Sequence, residues 1–299
     1  NCYLSNKRSN LMNYIYVYAG KIPDYIRFGI NSVFSVDKNA SIYFCTDQDV
    51  SFQGCTMIDL RELETSEIKY IKNNNFYKNT NYEKNPLWLS SLLRIFYLEK
   101  ITELFGIDSF IHFDSDVIVY HPYEELKTLF QKDKINITQH TDNQLIFGYC
   151  FVGNINKYKL LIKEALKIVE NIDSYMKMNF GNPLNEMDIL GEIHKSKNHI
   201  FNLLPVLPYG DEGYVFDPAS YGQYFGGTHQ KPRKFLSQRI KEEHHIVGRE
   251  ILAKRIQPKL VKSDPKVIHN GNSSQIVNLH IHSKELHKFL PQSYKEYIK

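Results

Sequence analysis

Residues 109–120 read SFIHFDSDVIVY, an apolar run that two aspartates interrupt before it resumes. In an extended segment the side chains alternate between two faces, so Asp114 and Asp116 project to the same side, roughly 6–7 Å apart at their Cα atoms. Mg²⁺ and Mn²⁺ usually bind one or two protein carboxylates and fill their other positions with phosphate oxygens and water. The pair therefore predicts a site for one divalent ion that carries a diphosphate. An exposed Asp-Ser-Asp turn between two strands is the alternative.

A helix is predicted directly before this run, over Pro86–Phe105. Proline stands at its start and Gly106 lies just beyond its end, which are the usual start and stop signals of a helix. Apolar residues recur at helical spacing and form one face. Arg94 lies on the more polar side, three residues after Ser91. Taken alone, Arg94 would be explained as a cation on the helix surface.

Residues 91–120 resemble the GT-A type of glycosyltransferase, which transfers a sugar from a nucleotide diphosphate donor. Such enzymes often place an arginine or lysine before a strand that ends in a metal-binding Asp-x-Asp. The resemblance implies an α/β fold of GT-A type, with a Rossmann-like, mixed but mostly parallel sheet flanked by helices. It implies a single domain over residues 1–299. It also implies Mn²⁺ or Mg²⁺ as cofactor and contacts from Ser91, Arg94 and Ser115 to the nucleotide sugar.

The first third of the chain alternates between strand and helix patterns. Strands are predicted over residues 14–18 and 41–45, with a helix over residues 25–34 between them. This alternation predicts a parallel sheet, in which ligands bind at the carboxyl ends of the strands. Tyr18, Ala19 and Thr46 lie at those ends and are candidate contacts for the base and ribose of the donor. Ordinary strand-to-helix turns explain them equally well.

The middle of the chain yields further elements. Residues 59–85 are polar and predict a mobile loop that closes over a donor, or a plain insertion. Strands are predicted over residues 136–140 and 145–152, followed by a helix over residues 157–176.

Three acidic residues in the second half are candidate catalytic groups. Glu186 and Asp188 open a predicted helix, and the resemblance implies an acidic residue here that orients the donor ring or acts as a base. Helix N-termini also attract acids because of the helix dipole. Asp217 and Gln223 lie in a glycine-rich, aromatic stretch over residues 216–229 that suits close approach to a sugar. We predict Asp217 as catalytic and Gln223 as a nucleotide-sugar contact, and a buried glycine-rich turn is the alternative.

Residues 277–284 read VNLHIHSK and alternate strictly between apolar and polar residues. The alternation predicts a strand that presents Asn278, His280, His282 and Lys284 on one face. In several GT-A families a C-terminal histidine completes the metal site and a nearby lysine holds the donor phosphate. The resemblance therefore implies His280 or His282 as a metal ligand, with His280 favoured, and Lys284 on the diphosphate. The spacing differs from the His-x-x-Gly-x-x-Lys pattern of one such family, so the stereochemical outcome stays open, and a solvent-facing edge strand is the alternative.

Composition allows an enzyme of this kind. The 299 residues are 42% hydrophobic, enough to bury the core of one large α/β domain or of two small ones. The net charge is only +4. Residues 229–299 contain 15 Lys and Arg against 6 Asp and Glu, and we expect this basic portion to return the His/Lys strand to the site. Its charge suits a diphosphate or peripheral contact with an anionic membrane, whereas a solvated helical face is the commoner explanation. No nucleic acid is expected as a partner.

The four cysteines have no metal-ligand spacing. Cys45 and Cys150 lie in apolar, strand-like runs and are predicted to be buried free thiols, which favours a reducing compartment. No apolar run approaches the ~20 residues that cross a bilayer, and the first residues do not resemble a secretory signal. We therefore expect a cytoplasmic protein with peripheral membrane contact.

From the resemblance we expect this protein to transfer sugar from a UDP- or GDP-sugar to a glycan or other hydroxyl acceptor. A haloacid-dehalogenase-type phosphatase and a sugar-nucleotide-binding protein without turnover are the alternatives.

Overall fold

The computed structural model describes residues 11–74, 77, 78, 80, 82–228 and 245–297. In the first third of the chain, parallel strands alternate with a helix, as the sequence predicts. Strand β1 is Met12–Tyr18, β2 is Ala40–Thr46 and β3 is Cys55–Asp59, and helix α1, Tyr25–Val36, connects the first two strands. β1 pairs in parallel with β2, and β2 pairs in parallel with β3.

The main sheet has seven strands in the order β3-β2-β1-β4-β7-β6-β8. Its remaining strands are β4 (Phe110–His112), β6 (Ile135–Thr141), β7 (Gln144–Val152) and β8 (Phe201–Leu203). β4 is parallel to β1 and β8 is parallel to β6, while β7 runs antiparallel to both β4 and β6. The prediction of a mixed, mostly parallel sheet flanked by helices is confirmed.

Helices pack on both faces of this sheet. Besides α1, the described helices are α2 (Ser66–Asn74), α3 (Pro86–Phe105), α4 (Tyr123–Leu126), α5 (Ile155–Glu170), α6 (Ile172–Met178), α7 (Glu186–Lys197), α8 (Tyr221–Gly226), α9 (Ile246–Leu252) and α10 (Gln292–Tyr297). Ile15 of β1 packs with the apolar sides of α3, α5 and α7. Its neighbours Tyr14 and Tyr16 pack on the opposite face with α1. The period-2 alternation of a strand thus places one buried layer on each side of the sheet.

Three predicted elements were wrong in extent. The helix predicted over residues 157–176 is two helices, because at Asn171 the backbone leaves the helical conformation and the side chain bonds to the carbonyl of Lys167. The loop predicted over residues 59–85 contains α2, which buries Ile68 and Ile71 although most of its residues are polar. Residues 75, 76, 79 and 81 of that loop lie outside the described residues.

The third element is the His/Lys strand, which is shorter than predicted. Strand β13 covers only Asn278–His280 and pairs antiparallel with β5, Val117–Val119. The amide of Lys284 then donates to the carbonyl of Ile281 and closes a turn. His282 and Lys284 therefore lie on a turn and not on the face of a strand.

A second sheet lies in the C-terminal portion. It contains β9 (Tyr214–Val215), β10 (Gln257–Val261), β11 (Asp264–His269) and β12 (Asn272–Ile276), in the order β10-β11-β12-β9. β12 leads into β13, so this portion returns a strand to the end of β4. Residues 229–244 of the basic portion lie outside the described residues, and the single domain over residues 1–299 stays a prediction.

Two further sequence predictions can be compared with the structure. Cys45 and Cys150 are buried free thiols, as predicted, and Cys55 is a half-buried one, whereas Cys2 lies outside the described residues. Among the described helices, none combines the length and the apolar character that crossing a bilayer requires.

Candidate active site

The two aspartates of the Asp-Ser-Asp triplet form a tight turn between β4 and β5. The amide of Asp114 donates to the carbonyl of Phe147, and the amide of Val117 donates to the carbonyl of Asp114. Helix α1 packs closely on this turn, because a Cβ atom at Gly29 would lie 3.1 Å from the carbonyl oxygen of Val117. Both flanking strands are buried. The carboxylates are therefore fixed by a backbone that has little freedom to move.

Strand β13 brings His280 to these carboxylates. His280 pairs with Val117 across the two-stranded sheet. Its Nε2 lies 3.0 Å from Oδ1 of Asp116 and 3.6 Å from Oδ2 of Asp114. Burial lowers the pKa of His280, but the charge and the hydrogen bond of Asp116, together with the charge of Asp114, outweigh burial and the net pKa is raised. Burial likewise opposes ionisation of Asp116, but His280 and then Lys284 hold its pKa well below the ordinary value.

A divalent ion fits this donor set. One potential ligand atom from each of Asp114, Asp116 and His280 lies within 4.8 Å of the others. Carboxylate oxygen and imidazole nitrogen are ligands that Mn²⁺ accepts, whereas Mg²⁺ prefers oxygen. His282 is not part of this group, although its ring centroid lies 4.7 Å from that of His280. Burial, followed by repulsion from His280, lowers the pKa of His282 to about 3.

Two cations contact the same carboxylates. The ammonium group of Lys284 pairs with Asp116 and lies 5.5 Å from the centroid of the Tyr25 ring. The guanidinium group of Arg94 pairs with Asp114 and also bonds to both carboxylate oxygens of Glu186, at 2.8 and 3.0 Å. Arg94 is therefore not the exposed helix cation of the alternative explanation, since only 12% of its side chain is accessible.

Glu186 and Asp188 open α7 but have different environments. Burial raises the pKa of Glu186 to about 7, although Arg94 opposes that shift. Asp188 caps the helix by accepting a bond from the amide of Asn185 at 3.0 Å, and its other oxygen accepts a bond from Nε2 of Gln144 at 2.8 Å. The attraction of acids to a helix N-terminus thus explains why Asp188 caps α7. It does not explain why Glu186 is buried and paired with Arg94.

Asp217 holds the backbone of the histidine strand. Its carboxylate accepts bonds from the amides of Tyr221 at 2.8 Å, Gly222 at 2.8 Å and His280 at 2.9 Å. The side chain of Asn278 accepts from the amide of Asp217 and donates to the carbonyl of Gly148. Asp217 is fully buried. These contacts favour a positioning role for Asp217, and the catalytic role expected from the sequence stays a prediction.

The other residues predicted to contact the nucleotide sugar differ in their burial. Tyr18 and Thr46 are paired at the carboxyl ends of β1 and β2, where Thr46 is buried, while Ala19 beyond β1 is exposed. Ser91 is half-buried on α3, one turn before Arg94, and Gln223 is buried within α8. Their contacts with a nucleotide sugar remain predictions.

Tyr25 is a site residue that the sequence analysis missed. The ammonium group of Lys284 lies 5.5 Å from the centroid of the Tyr25 ring. Burial, followed by the negative charge of Asp116, raises its pKa well above the ordinary value. The available signal was its place as the first residue of α1, the helix that follows the carboxyl end of β1.

Three solved structures that are similar to this chain are glycosyltransferases, the class that the sequence motifs resemble. Mouse xyloside xylosyltransferase 1 is 13% identical, with a TM-score of 0.46 over 65% of this chain and 86% of that chain. GlyE of Streptococcus pneumoniae is 15% identical, with a TM-score of 0.39 over 65% of this chain and 45% of its own. The galactosyltransferase LgtC, in complex with donor and acceptor sugar analogues, is 12% identical, with a TM-score of 0.44 over 76% of this chain and 82% of its own. No family model matches the sequence, and no curated protein matches it.

Proposed function

We propose that the protein is a metal-dependent glycosyltransferase that moves a sugar from a UDP- or GDP-sugar to a hydroxyl acceptor in glycan or polysaccharide synthesis. One observation carries this proposal. The potential ligand atoms of Asp114, Asp116 and His280 lie close enough together to bind one ion, and the ammonium group of Lys284 pairs with Asp116 beside them. A metal site and a neighbouring cation together suit a diphosphate leaving group, because negative charge accumulates on it as it leaves.

Asp114, Asp116 and His280 would hold Mn²⁺ or Mg²⁺. When bound, such an ion supplies Lewis-acid stabilisation of the diphosphate leaving group. Lys284 supplies a second positive charge at the same place. Arg94 fixes the orientation of Asp114 through their ion pair and links it to Glu186 at the start of α7. Glu186 and Asp188 are the candidates to orient the donor ring or to accept the proton of the acceptor hydroxyl.

The phosphatase alternative requires Asp114 to act as a free nucleophile. In the structure its Oδ1 pairs with Arg94 and its Oδ2 lies 3.6 Å from His280. A carboxylate engaged on both oxygens is better suited to hold an ion than to attack a phosphate. The cytoplasmic location and the peripheral membrane contact stay predictions.

The test is hydrolysis of UDP- and GDP-sugars without an acceptor, measured with Mn²⁺, with Mg²⁺ and with a chelator. We expect hydrolysis only with the metal, and we expect its loss in Asp114→Asn and Asp116→Asn. Asp142→Asn is the matched control, because Asp142 is exposed and pairs with Arg249 on the surface. Hydrolysis that persists under chelation and in both site variants would refute the proposal. Hydrolysis of p-nitrophenyl phosphate without cleavage of any nucleotide sugar would favour the phosphatase.

A further inference from the structure

Two aromatic rings stack beside the start of α7. The rings of Tyr82 and Trp88 lie 4.4 Å apart between centroids, at 22° to each other. The rings of Tyr77 and Tyr82 form a T-shaped pair with their centroids 5.4 Å apart, and the hydroxyl group of Tyr77 donates to the carbonyl of Leu184. Tyr82 and Trp88 are only half-buried, unlike the aromatic side chains inside the sheet layers. Part of the apolar surface of the stacked pair is therefore accessible to a ligand.

The stacked pair is connected to the candidate active site through two elements. Nδ2 of Asn185 donates to the hydroxyl group of Tyr82 at 3.2 Å, and Asn185 directly precedes Glu186, which binds Arg94. Trp88 and Arg94 also lie on the same helix, α3, six residues apart. Six residues span roughly 9 Å along a helix axis. The pair is thus connected to Arg94 and Glu186 both along α3 and through the start of α7.

Polar groups that can bind hydroxyl groups lie next to the stacked pair. Asp188 and Gln144 bond to each other at 2.8 Å, and both are half-buried. Asp188 is joined to Asn185 through the cap of α7, and Asn185 reaches Tyr82. An apolar face beside a carboxylate and an amide matches a pyranose ring, which has an apolar C–H face and a rim of hydroxyl groups.

We propose that Tyr82 and Trp88 form an acceptor subsite on which a pyranose ring of the acceptor glycan stacks, with Asp188 and Gln144 binding its hydroxyl groups. This inference rests on the proposed function, because the metal ligands and Lys284 are assigned there to the donor diphosphate. The stacked pair contacts Asn185 at the start of α7, where Glu186 and Asp188 are the candidates to accept the proton of the acceptor hydroxyl, and it is therefore assigned to the acceptor and not to the leaving group.

The wild-type protein allows a direct binding test, because Trp88 is the only tryptophan of the chain. Methyl glycosides of glucose, galactose, mannose and xylose are titrated in the presence of UDP and Mn²⁺ while tryptophan emission is recorded. We expect at least one glycoside to shift the emission to shorter wavelength as it covers the indole and excludes water. If none changes the emission of a protein that hydrolyses nucleotide sugars, the subsite is refuted and the proposed function stands. A protein that hydrolyses no nucleotide sugar refutes both.

Variants test the role of the rings in transfer to the glycoside that binds. Trp88→Ala and Tyr82→Ala should raise the acceptor KM about tenfold more than the donor KM, because each removes a stacking surface. Tyr82→Phe keeps the ring and should have a smaller effect than Tyr82→Ala. Leu87→Ala is the matched control, since Leu87 is the neighbouring residue, is 57% exposed and lies outside the stacked pair. Acceptor KM values within twofold of wild type in both alanine variants, with transfer retained, would overturn the inference.

Discussion

Substitution of Gly222 by alanine tests whether the backbone of α8 positions His280. A Cβ atom at Gly222 would lie 2.0 Å from the carbonyl oxygen of His280 and 2.9 Å from its amide nitrogen. Ordinary contact begins at 3.4 Å, so α8 and β13 must separate by about 1.4 Å. The obstacle is backbone, which cannot rotate aside as a side chain does. The amide of Gly222 also binds Asp217, which in turn holds the amide of His280.

The expected magnitude follows from two opposing terms. Overpacking costs about 1–3 kcal/mol, and the upper end applies when backbone must move. Replacing glycine by alanine in a helix returns about 1 kcal/mol. The net free energy of unfolding should therefore fall by about 2 kcal/mol. The effect on the site is larger, because a misplacement of about 1 Å costs roughly a hundredfold in rate.

The assay combines thermal unfolding, Mn²⁺ affinity by calorimetry and hydrolysis of the donor. Gly226→Ala is the matched control on the same helix, because its Cβ atom would meet only side-chain atoms, the nearest being Oγ of Ser283 at 3.2 Å. We expect Gly222→Ala to lose metal affinity and turnover, and Gly226→Ala to stay close to wild type. If the Mn²⁺ affinity and the turnover of Gly222→Ala both stay within threefold of wild type, the packing of α8 does not position the metal ligand His280.

Three further outcomes are expected. Lys284→Ala should lower kcat about a hundredfold, or ~3 kcal/mol, with a smaller rise in donor KM, and a kcat within threefold of wild type would make Lys284 a surface cation. Burial and then Arg94 lower the pKa of His112 to about 3. Below the ordinary histidine pKa of about 6.5, the unfolded chain therefore binds more protons than the folded chain, and the free energy of unfolding falls as the pH falls. Between pH 7 and 5, wild type should therefore lose about 2 kcal/mol more unfolding free energy than His112→Phe, and equal losses in denaturant titrations would contradict the assigned shift. UDP with Mn²⁺ at 100 times its Kd should stabilise the protein by about 2.7 kcal/mol in thermal-shift measurements, and Asp116→Asn should abolish that gain.

Local signals made part of this fold predictable. Pro86 and Gly106 define the two ends of α3, and the structure places Gly106 in the left-handed conformation that ends many helices. The alternation of strand and helix up to residue 46 required only periodicity. The Asp-Ser-Asp triplet was visible because polar residues rarely interrupt a buried strand without a compensating partner.

The contacts that complete the candidate site could not be predicted in the same way. Arg94 and Glu186 are 92 positions apart, and no local pattern shows that they pair. The alternation of residues 277–284 continued beyond the true end of β13, because apolar and polar residues alternate in the following turn as well. The stretch around Asp217 looked like a sugar-binding turn, but its glycine at position 222 serves to let two backbones approach.

The pairing of β5 with β13 also affects how the chain folds. Val117 of β5 pairs with His280 of β13, so the two strands close a loop of roughly 160 residues, and such non-local pairing forms late. At about 5–20 residues per second, β5 leaves the ribosome on the order of ten seconds before β13. During that interval the edge that β13 later covers is an unpaired, apolar strand edge. We therefore expect nascent chains of this protein to expose an aggregation-prone edge until β13 has left the ribosome.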